Sequence, residues 1–163
     1  MKMIWTKSAL PFSKLVRYGL GADCSHFAIV FDTPAGGLMF ESNLLGTHPK
    51  FYKSALAHME VVHQIDLPLH IVDEDEVWDE VVARLDGREY DWGAFFYFCW
   101  RGALKKFFAR PLPKKNAWAK DGTDLCVEVF NAVKKYTALK DVAIELSMTG
   151  PHELYLLLTE AKP

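Results

Sequence analysis

Apolar residues recur along this chain with two periods, and the changes between them mark out its elements. Ser25-His26-Phe27-Ala28-Ile29-Val30-Phe31-Asp32 is one nearly unbroken apolar run, and Gly37-Leu38-Met39-Phe40-Glu41-Ser42 is another. Each reads as a strand. Between them stands Thr33-Pro34-Ala35-Gly36. Pro presets its own φ in a turn and Gly can take positive φ, so the stretch reads as a turn. The simplest pairing is an antiparallel hairpin closed around Pro34, with Phe31 against Gly36. That register sets Phe27 opposite Phe40 and His26 opposite Glu41, with Cβ atoms about 4.5–5.5 Å apart. A slip of one residue would make the pair diagonal or send the two side chains to opposite faces.

Other segments follow the same logic. Lys2 to Thr6 reads as a short strand. Ser8-Ala9-Leu10-Pro11 reads as a helix start with Pro11 in the first turn, a buried stripe of Leu15, Val16 and Leu20, and an end at Gly19, Gly21 and Ala22-Asp23. Leu44 to Lys50 reads as a loop and Phe51 to Ala57 as a short helix. Val61, His63, Ile65 and Leu67 alternate with Val62, Gln64 and Asp66, which predicts a third strand closed by Pro68. Asp73-Glu74-Asp75-Glu76 then opens a helix, since acids in a first turn complement the helix dipole. Val77, Val81 and Leu85, with Trp78 beside them, form its apolar face, and Gly87 suits its stop. Asp91 caps a strongly aromatic helix with a basic far end at Arg101, Lys105, Lys106, Arg110, Lys114 and Lys115, broken by Pro111 and Pro113. Thr123 or Asp124 starts another, with Leu125, Val127, Phe130 and Val133 inward and Glu128, Asn131, Lys134 and Lys135 outward. Asp141 to Met148 reads as a late strand, and Thr149-Gly150-Pro151-His152-Glu153 opens a last helix through Leu158.

Composition narrows the class. Half of the 163 residues are hydrophobic and a quarter are charged, which fits one globular domain over residues 1–163 with a sizeable core. A net charge of −2 is no signature of nucleic-acid binding. Cys24, Cys99 and Cys126 are odd in number and widely spaced. They form neither a Cys-x-x-Cys metal motif nor a complete disulfide framework, which points to a reducing compartment. Met1 to Lys7 lacks the apolar stretch of a signal peptide, so a cytoplasmic location is expected. The aromatic run Trp92 to Trp100 contains Gly93 and stops at Arg101, far short of the roughly 20 residues of a membrane span. His48, His58, His63, His70 and His152 show no metal-ligand spacing, and the acid run at 73–76 reads as a helix start, so no metal is expected. His63, on an alternating strand, could join the site but reads rather as a packed or surface histidine.

Three cysteines compete as nucleophile. Cys99 lies mid-helix among Phe95, Phe96, Phe98 and Trp100, where a thiol is a small hydrophobe with a raised pKa. Cys24 precedes the His26 strand in a loop. Cys126 falls in the first turn of a helix, where unpaired N–H groups and the dipole favour a thiolate. Buried free cysteines are common, so residue types alone leave the choice open.

The motifs taken together resemble a known family. Ser25-His26-Phe27-Ala28-Ile29-Val30-Phe31-Asp32, Leu38-Met39-Phe40-Glu41-Ser42, Gly87-Arg88-Glu89-Tyr90-Asp91 and Leu125-Cys126-Val127-Glu128-Val129-Phe130 are similar to the circularly permuted NlpC-type, papain-like cysteine hydrolases. The YiiX/YaeF-like branch and its phage relatives are the nearest in pattern. In that group the histidine hairpin comes first and the cysteine helix late, which is the order here. Trp5-Thr6-Lys7 and Thr149-Gly150-Pro151-His152-Glu153-Leu154 also resemble family features. The resemblance implies an α+β, papain-like permuted fold, a small antiparallel sheet packed against helices. It implies Cys126 as nucleophile, His26 as base, Glu41 as the group orienting His26, and Tyr90 near the site as a substrate-binding hydrogen-bond donor. Val127 departs from the family's small residue after the cysteine. No cofactor is implied. The implied activity is hydrolysis of an amide bond, with a peptide or peptidoglycan peptide as substrate. Two alternatives stand beside it: a lipid ester or thioester acyl hydrolase or acyltransferase, for which the aromatic helix with its basic end would lie at a membrane surface, and a catalytically silent binding or phage structural module.

Overall fold

The computed structural model describes residues 1–33, 36–66, 74–108, 116–118, 123–137, 140, 144, 146 and 149–160. In chain order these form β1 (Lys2–Lys7), α1 (Pro11–Leu20), β2 (His26–Phe31), β3 (Leu38–Asn43), β4 (Gly46–Phe51) and α2 (Tyr52–Ala55), which runs on into a 3-10 turn, Leu56–His58. Then come β5 (Glu60–Asp66), α3 (Glu74–Leu85), β6 (Glu89–Tyr90), α4 (Trp92–Phe108) and β7 (Thr123–Asp124). A 3-10 turn, Cys126–Val129, leads into α5 (Phe130–Lys134), and α6 (Pro151–Glu160) follows. Among the described residues the fold is α+β. Five strands pair antiparallel in the order β4-β3-β2-β1-β5, with six helices around them, and β6 and β7 form a separate parallel bridge. No helix among these residues is long and apolar enough to cross a membrane.

Strand alternation sends side chains to two buried faces. Met3, Trp5, Phe27, Ile29, Phe31 and Phe40 face the larger core, built with α3, α4, the Cys126 turn, α5 and α6. Ile4, Ala28, Val30 and Met39 face a smaller layer closed by Ala55, Tyr52 and Met59. Edge-to-face rings knit the larger core. Trp5 meets Phe27 at 5.2 Å, Phe27 meets Phe130 at 6.4 Å, and Trp78 of α3 meets Phe31 at 5.2 Å. Val77, Val81 and Leu85 are the buried side of α3, as their spacing predicts, and Gly87 follows at φ +78°. Asp91 caps α4 by accepting the Ala94 N–H at 2.7 Å.

Four expectations are corrected. Phe31 pairs with Leu38 and Ile29 with Phe40, a shift of two residues from the expected Phe31–Gly36 and Phe27–Phe40 pairs. The connection is longer than a tight turn because the Gly37 carbonyl accepts the Tyr52 N–H at 2.9 Å, which ties it to α2. Leu44 to Lys50 is not a loop. Leu44 and Leu45 make a two-residue turn, Gly46 sits at φ +109°, and β4 runs back along β3. Pro49 is accommodated because β4 is an edge strand. Leu15 lies outside the buried stripe of α1 and is 53% exposed. Val16 and Leu20 pack on the core, and Leu15 lies about 100° around the helix from Val16. Finally, Thr123 and Asp124 do not start a helix. They pair with Glu89 and Tyr90, and helical geometry begins at Cys126. The expected Pro34 turn, the Pro68 stop, the Asp73 start, the Pro111 and Pro113 break with Arg110, Lys114 and Lys115, and most of the 141–148 strand lie outside the described residues.

Two glycines let α1 cross α4 closely. A Cβ on Gly102 would stand 2.8 Å from the Gly19 carbonyl oxygen, a backbone atom that cannot swing away. Gly102→Ala is therefore expected to destabilise the protein by about 1–3 kcal/mol. Thermal denaturation checks this, at roughly 2–4 °C of Tm per kcal/mol for a chain of this size.

Candidate active site

The site forms where β2 and β3 part. Their pairing covers only Ile29–Phe31 and Leu38–Phe40. Continuing that register sets Glu41 against Ala28, so His26 and Glu41 share a face as diagonal neighbours, within reach of long side chains. The ring closes the gap: His26 Nε2 lies 2.7 Å from Glu41 Oε2. Glu41 is 1% exposed, and its other oxygen accepts hydrogen bonds from Asn43 Nδ2 at 2.7 Å and Lys50 Nζ at 2.8 Å. A buried carboxylate costs several kcal/mol to desolvate unless it is paired and hydrogen-bonded. Three donors meet that requirement here. Burial pushes the Glu41 carboxyl up, but the hydrogen bonds and charges of His26 and Lys50 outweigh it and hold it well below the usual range.

The Cys126 turn packs on β2 and β3 at this parted end. Alternation alone would leave Cys126 on the larger core face and His26 on the other. They meet because the ladder stops short. Cys126 lines the same cavity as His26, close enough for its sulfur to act on the ring together with Glu41. Burial pulls the imidazolium down. The bonds to Cys126 and Glu41, with the charges of both, more than reverse this, and His26 is pushed up to about 10.

Local hydrogen bonds aim Cys126. The Glu128 carboxylate accepts the Leu125 N–H at 2.7 Å, and the Glu128 N–H donates to the Leu125 carbonyl at 3.0 Å. The β6–β7 bridge delivers the chain to this turn and sets Tyr90 beside it. Tyr90 lines the same cavity as His26, Glu41 and Cys126. Its hydroxyl pKa is raised, first by burial and then by the negative charge of Cys126 and other neighbours. On the opposite wall the hydroxyls of Ser13 and Ser25 share a hydrogen bond of 2.6 Å, fastening α1 next to His26. The cavity has a volume of about 500 Å³.

The structure thus brings Cys126, His26, Glu41 and Tyr90 to one cavity. Neither of the other cysteines lines the cavity. Cys24 is fully buried and its thiol is pushed up, first by burial and then by Asp23. Cys99 is raised by burial. Sequence reasoning missed Asn43 and Lys50. Asn43 carried a signal, two residues beyond Glu41 on the same strand face. Lys50 carried none while Leu44 to Lys50 read as a loop. No family model, curated protein or solved structure matches this chain.

The pair makes stability depend on pH. His26 has a folded pKa above its ordinary 6.5, so its contribution is complete below about 6.5 and is lost as pH rises through about 10. Glu41 has a lowered pKa, so its contribution is present above its ordinary 4.5 and is lost on acidification below that. Urea denaturation of wild type is expected to show a plateau between about pH 4.5 and 6.5 and a decline on either side. Glu41→Gln is expected to flatten both slopes.

Proposed function

We propose that this chain is a cysteine hydrolase of the permuted papain-like type, with Cys126 as nucleophile, His26 as general acid and base, and Glu41 as the residue that orients and charges His26. The observation that carries the reading is that His26, held by Glu41 at 2.7 Å on Nε2, lines one cavity with Cys126, whose turn packs on the hairpin that bears His26 and Glu41. The order of the chain supports it too: histidine hairpin first, cysteine turn late, the turn packed on the hairpin.

In this reading Cys126 and His26 exist as a thiolate–imidazolium pair. The thiolate attacks the acyl carbon, and the carbonyl electron pair moves to oxygen. The Cys126 backbone N–H, at the first helical position, is the oxyanion donor. Collapse of the oxyanion expels the leaving group, which takes its proton from His26 and leaves a thioester. Neutral His26 then removes a proton from water, the hydroxide attacks the thioester, and the thiolate and the acid are released. Glu41 keeps the ring in the orientation that both steps need. Lys50 and Asn43 are positioning residues that hold Glu41.

The first substrate reading is an amide bond in a peptide or peptidoglycan peptide. A second, a lipid ester or thioester, is favoured by the wall of the cavity. Leu10, Phe12, Leu44, Leu45, Met59 and Phe95 line it, and Leu45 is 88% exposed at its mouth. That lining suits an apolar acyl chain.

Alkylation of Cys126 by iodoacetamide is expected to reach its plateau well below pH 8, and His26→Ala to remove that plateau. His26→Ala is also expected to cut turnover by about 10²–10⁴-fold, and Cys126→Ala to abolish the acyl adduct seen by mass spectrometry. Reactivity of Cys126 no greater than that of Cys24 in the native protein would leave a silent module. Co-sedimentation with phosphatidylcholine vesicles, with release of long-chain acyl groups, would select the lipid reading. Cleavage of peptide amides alone would select the first.

A further inference from the structure

On the side of the sheet under α6, three residues remote in sequence converge. Asp23 lies in the segment between α1 and β2, His63 on β5 and His152 in the first turn of α6. His63 Nε2 stands 2.7 Å from Asp23 Oδ2, and His152 Nδ1 stands 2.7 Å from Asp23 Oδ1. All three ligand atoms lie within 4.8 Å of one another. Neither histidine has a sequence neighbour that would mark it as a ligand. The fold itself makes the cluster.

The rings are held for this arrangement. β5 carries a bulge where it passes Trp5 and Thr6, since Trp5 pairs with His63 and Thr6 with Val61. A bulge re-aims the side chains beside it. Here His63 meets α6, where its ring stacks on Tyr155 at 3.8 Å and 7°. Tyr155 is itself packed edge-on against Trp5 at 5.3 Å. His63 therefore sits against a rigid aromatic wall. One nitrogen of each imidazole points at the same carboxylate.

We infer that Asp23, His63 and His152 form a binding site for a divalent transition-metal ion, Zn2+ being the ion suited to this donor set, which pins α6 to β5 and to the segment leading into β2. Two imidazoles and a carboxylate are ligands of borderline softness that favour Zn2+ over Mg2+ or Ca2+. Ligands about 2.0–2.1 Å from one tetrahedral ion lie roughly 3.3 Å apart. The two contacts, each to a different oxygen of the carboxylate, are shorter than this, and the three ligand atoms spread over no more than 4.8 Å, so rotation of the rings about Asp23 is needed to close the set on one ion. The side chains of Asp23, His63 and His152 are 46%, 21% and 29% exposed, which leaves an entry path and room for water as the remaining ligand. Cys24, next in the chain, is fully buried and is not part of the set. The ion joins three elements, one of which enters the strand bearing His26. The site stands on its own geometry, independently of the hydrolase reading.

The test is titration of the full chain, as the Cys126→Ser variant, with Zn2+ by calorimetry and with Co2+ by absorption. One equivalent of Zn2+ is expected to bind, and the Co2+ spectrum to lack a thiolate charge-transfer band. The ring-nitrogen NMR signals of His63 and His152 are expected to shift on Zn2+ addition. His152→Gln and Asp23→Asn are expected to weaken Zn2+ by about 100-fold or more, since even outer-shell changes cost 10–100-fold. Zn2+ is also expected to raise the Tm of the parent protein and not that of either variant. No Zn2+ binding, binding undiminished in both variants, or Zn2+ that shifts other histidines would overturn the assignment and leave a hydrogen-bonded His–Asp–His clamp. The NMR and Co2+ readings on the parent protein decide the matter even if a variant fails to fold.

Discussion

The buried carboxylate of Glu41 is the constraint around which this end of the molecule is arranged. A charge with almost no exposed surface requires partners for both oxygens, and it takes them from three strands. His26 comes from β2, Asn43 from its own strand and Lys50 from β4. Had β4 been a loop, Lys50 would not be held over Glu41, and the carboxylate would face its imidazole with one oxygen less well supported. The β3–β4 turn at Leu44 and Leu45 is thus an electrostatic device as well as a connection. It also presents Leu45 at the mouth of the cavity. One feature of chain geometry therefore serves both the polar floor of the site and its apolar rim.

The second requirement is a meeting between two faces of one sheet. Strand alternation assigns Phe27 and Phe40 to the larger core and turns His26 and Glu41 away from it. Cys126 belongs to that larger core. A fully paired β2–β3 ladder would keep sulfur and ring apart. The early end of the ladder at Ile29 and Phe40 removes this barrier, and the Cys126 turn packs over the opening. The same turn is aimed by Glu128 and fed by the short β6–β7 bridge, which is why Tyr90 arrives beside it. The cost of parting the strands is a short ladder, and the hydrogen bonds of the polar cluster occupy the place of the missing pairs.

The α1–α4 crossing sets the far wall. With Gly19 against Gly102 the helices approach closely, and Phe12 meets Phe95 at 6.0 Å across the top of the cavity. Ser13, the buried residue of α1, reaches Ser25 next to His26. Helix packing and the geometry around His26 are thus mechanically linked through α1. The Asp23 cluster lies at the other end of the same segment, with Cys24 and Ser25 between it and His26. Whatever steadies Asp23 against β5 and α6 therefore also steadies the entrance to β2.

Local patterning by itself determined the strands at Lys2, His26, Leu38 and Glu60, the helices opened by Pro11, Glu74 and Pro151, the cap at Asp91, and the position of Cys126 at a helical start. Each of these depends on neighbours within a turn or two, so period, caps and turn formers carry the information. The pairing of His26 with Glu41 was legible as well, because a register error of two residues preserves the face. Only the tertiary structure decided the rest. Pro49 and Lys50 look like loop residues until β3 provides an edge to pair with. Leu15 looks buried until α4 chooses which side of α1 to cover. Asp23, His63 and His152 carry no common spacing, and they meet because a bulge on β5 and the docking of α6 place them there. Contacts between elements far apart in the chain are fixed by packing and by the pairing of buried polar groups, and neither leaves a periodic trace in the order of the residues.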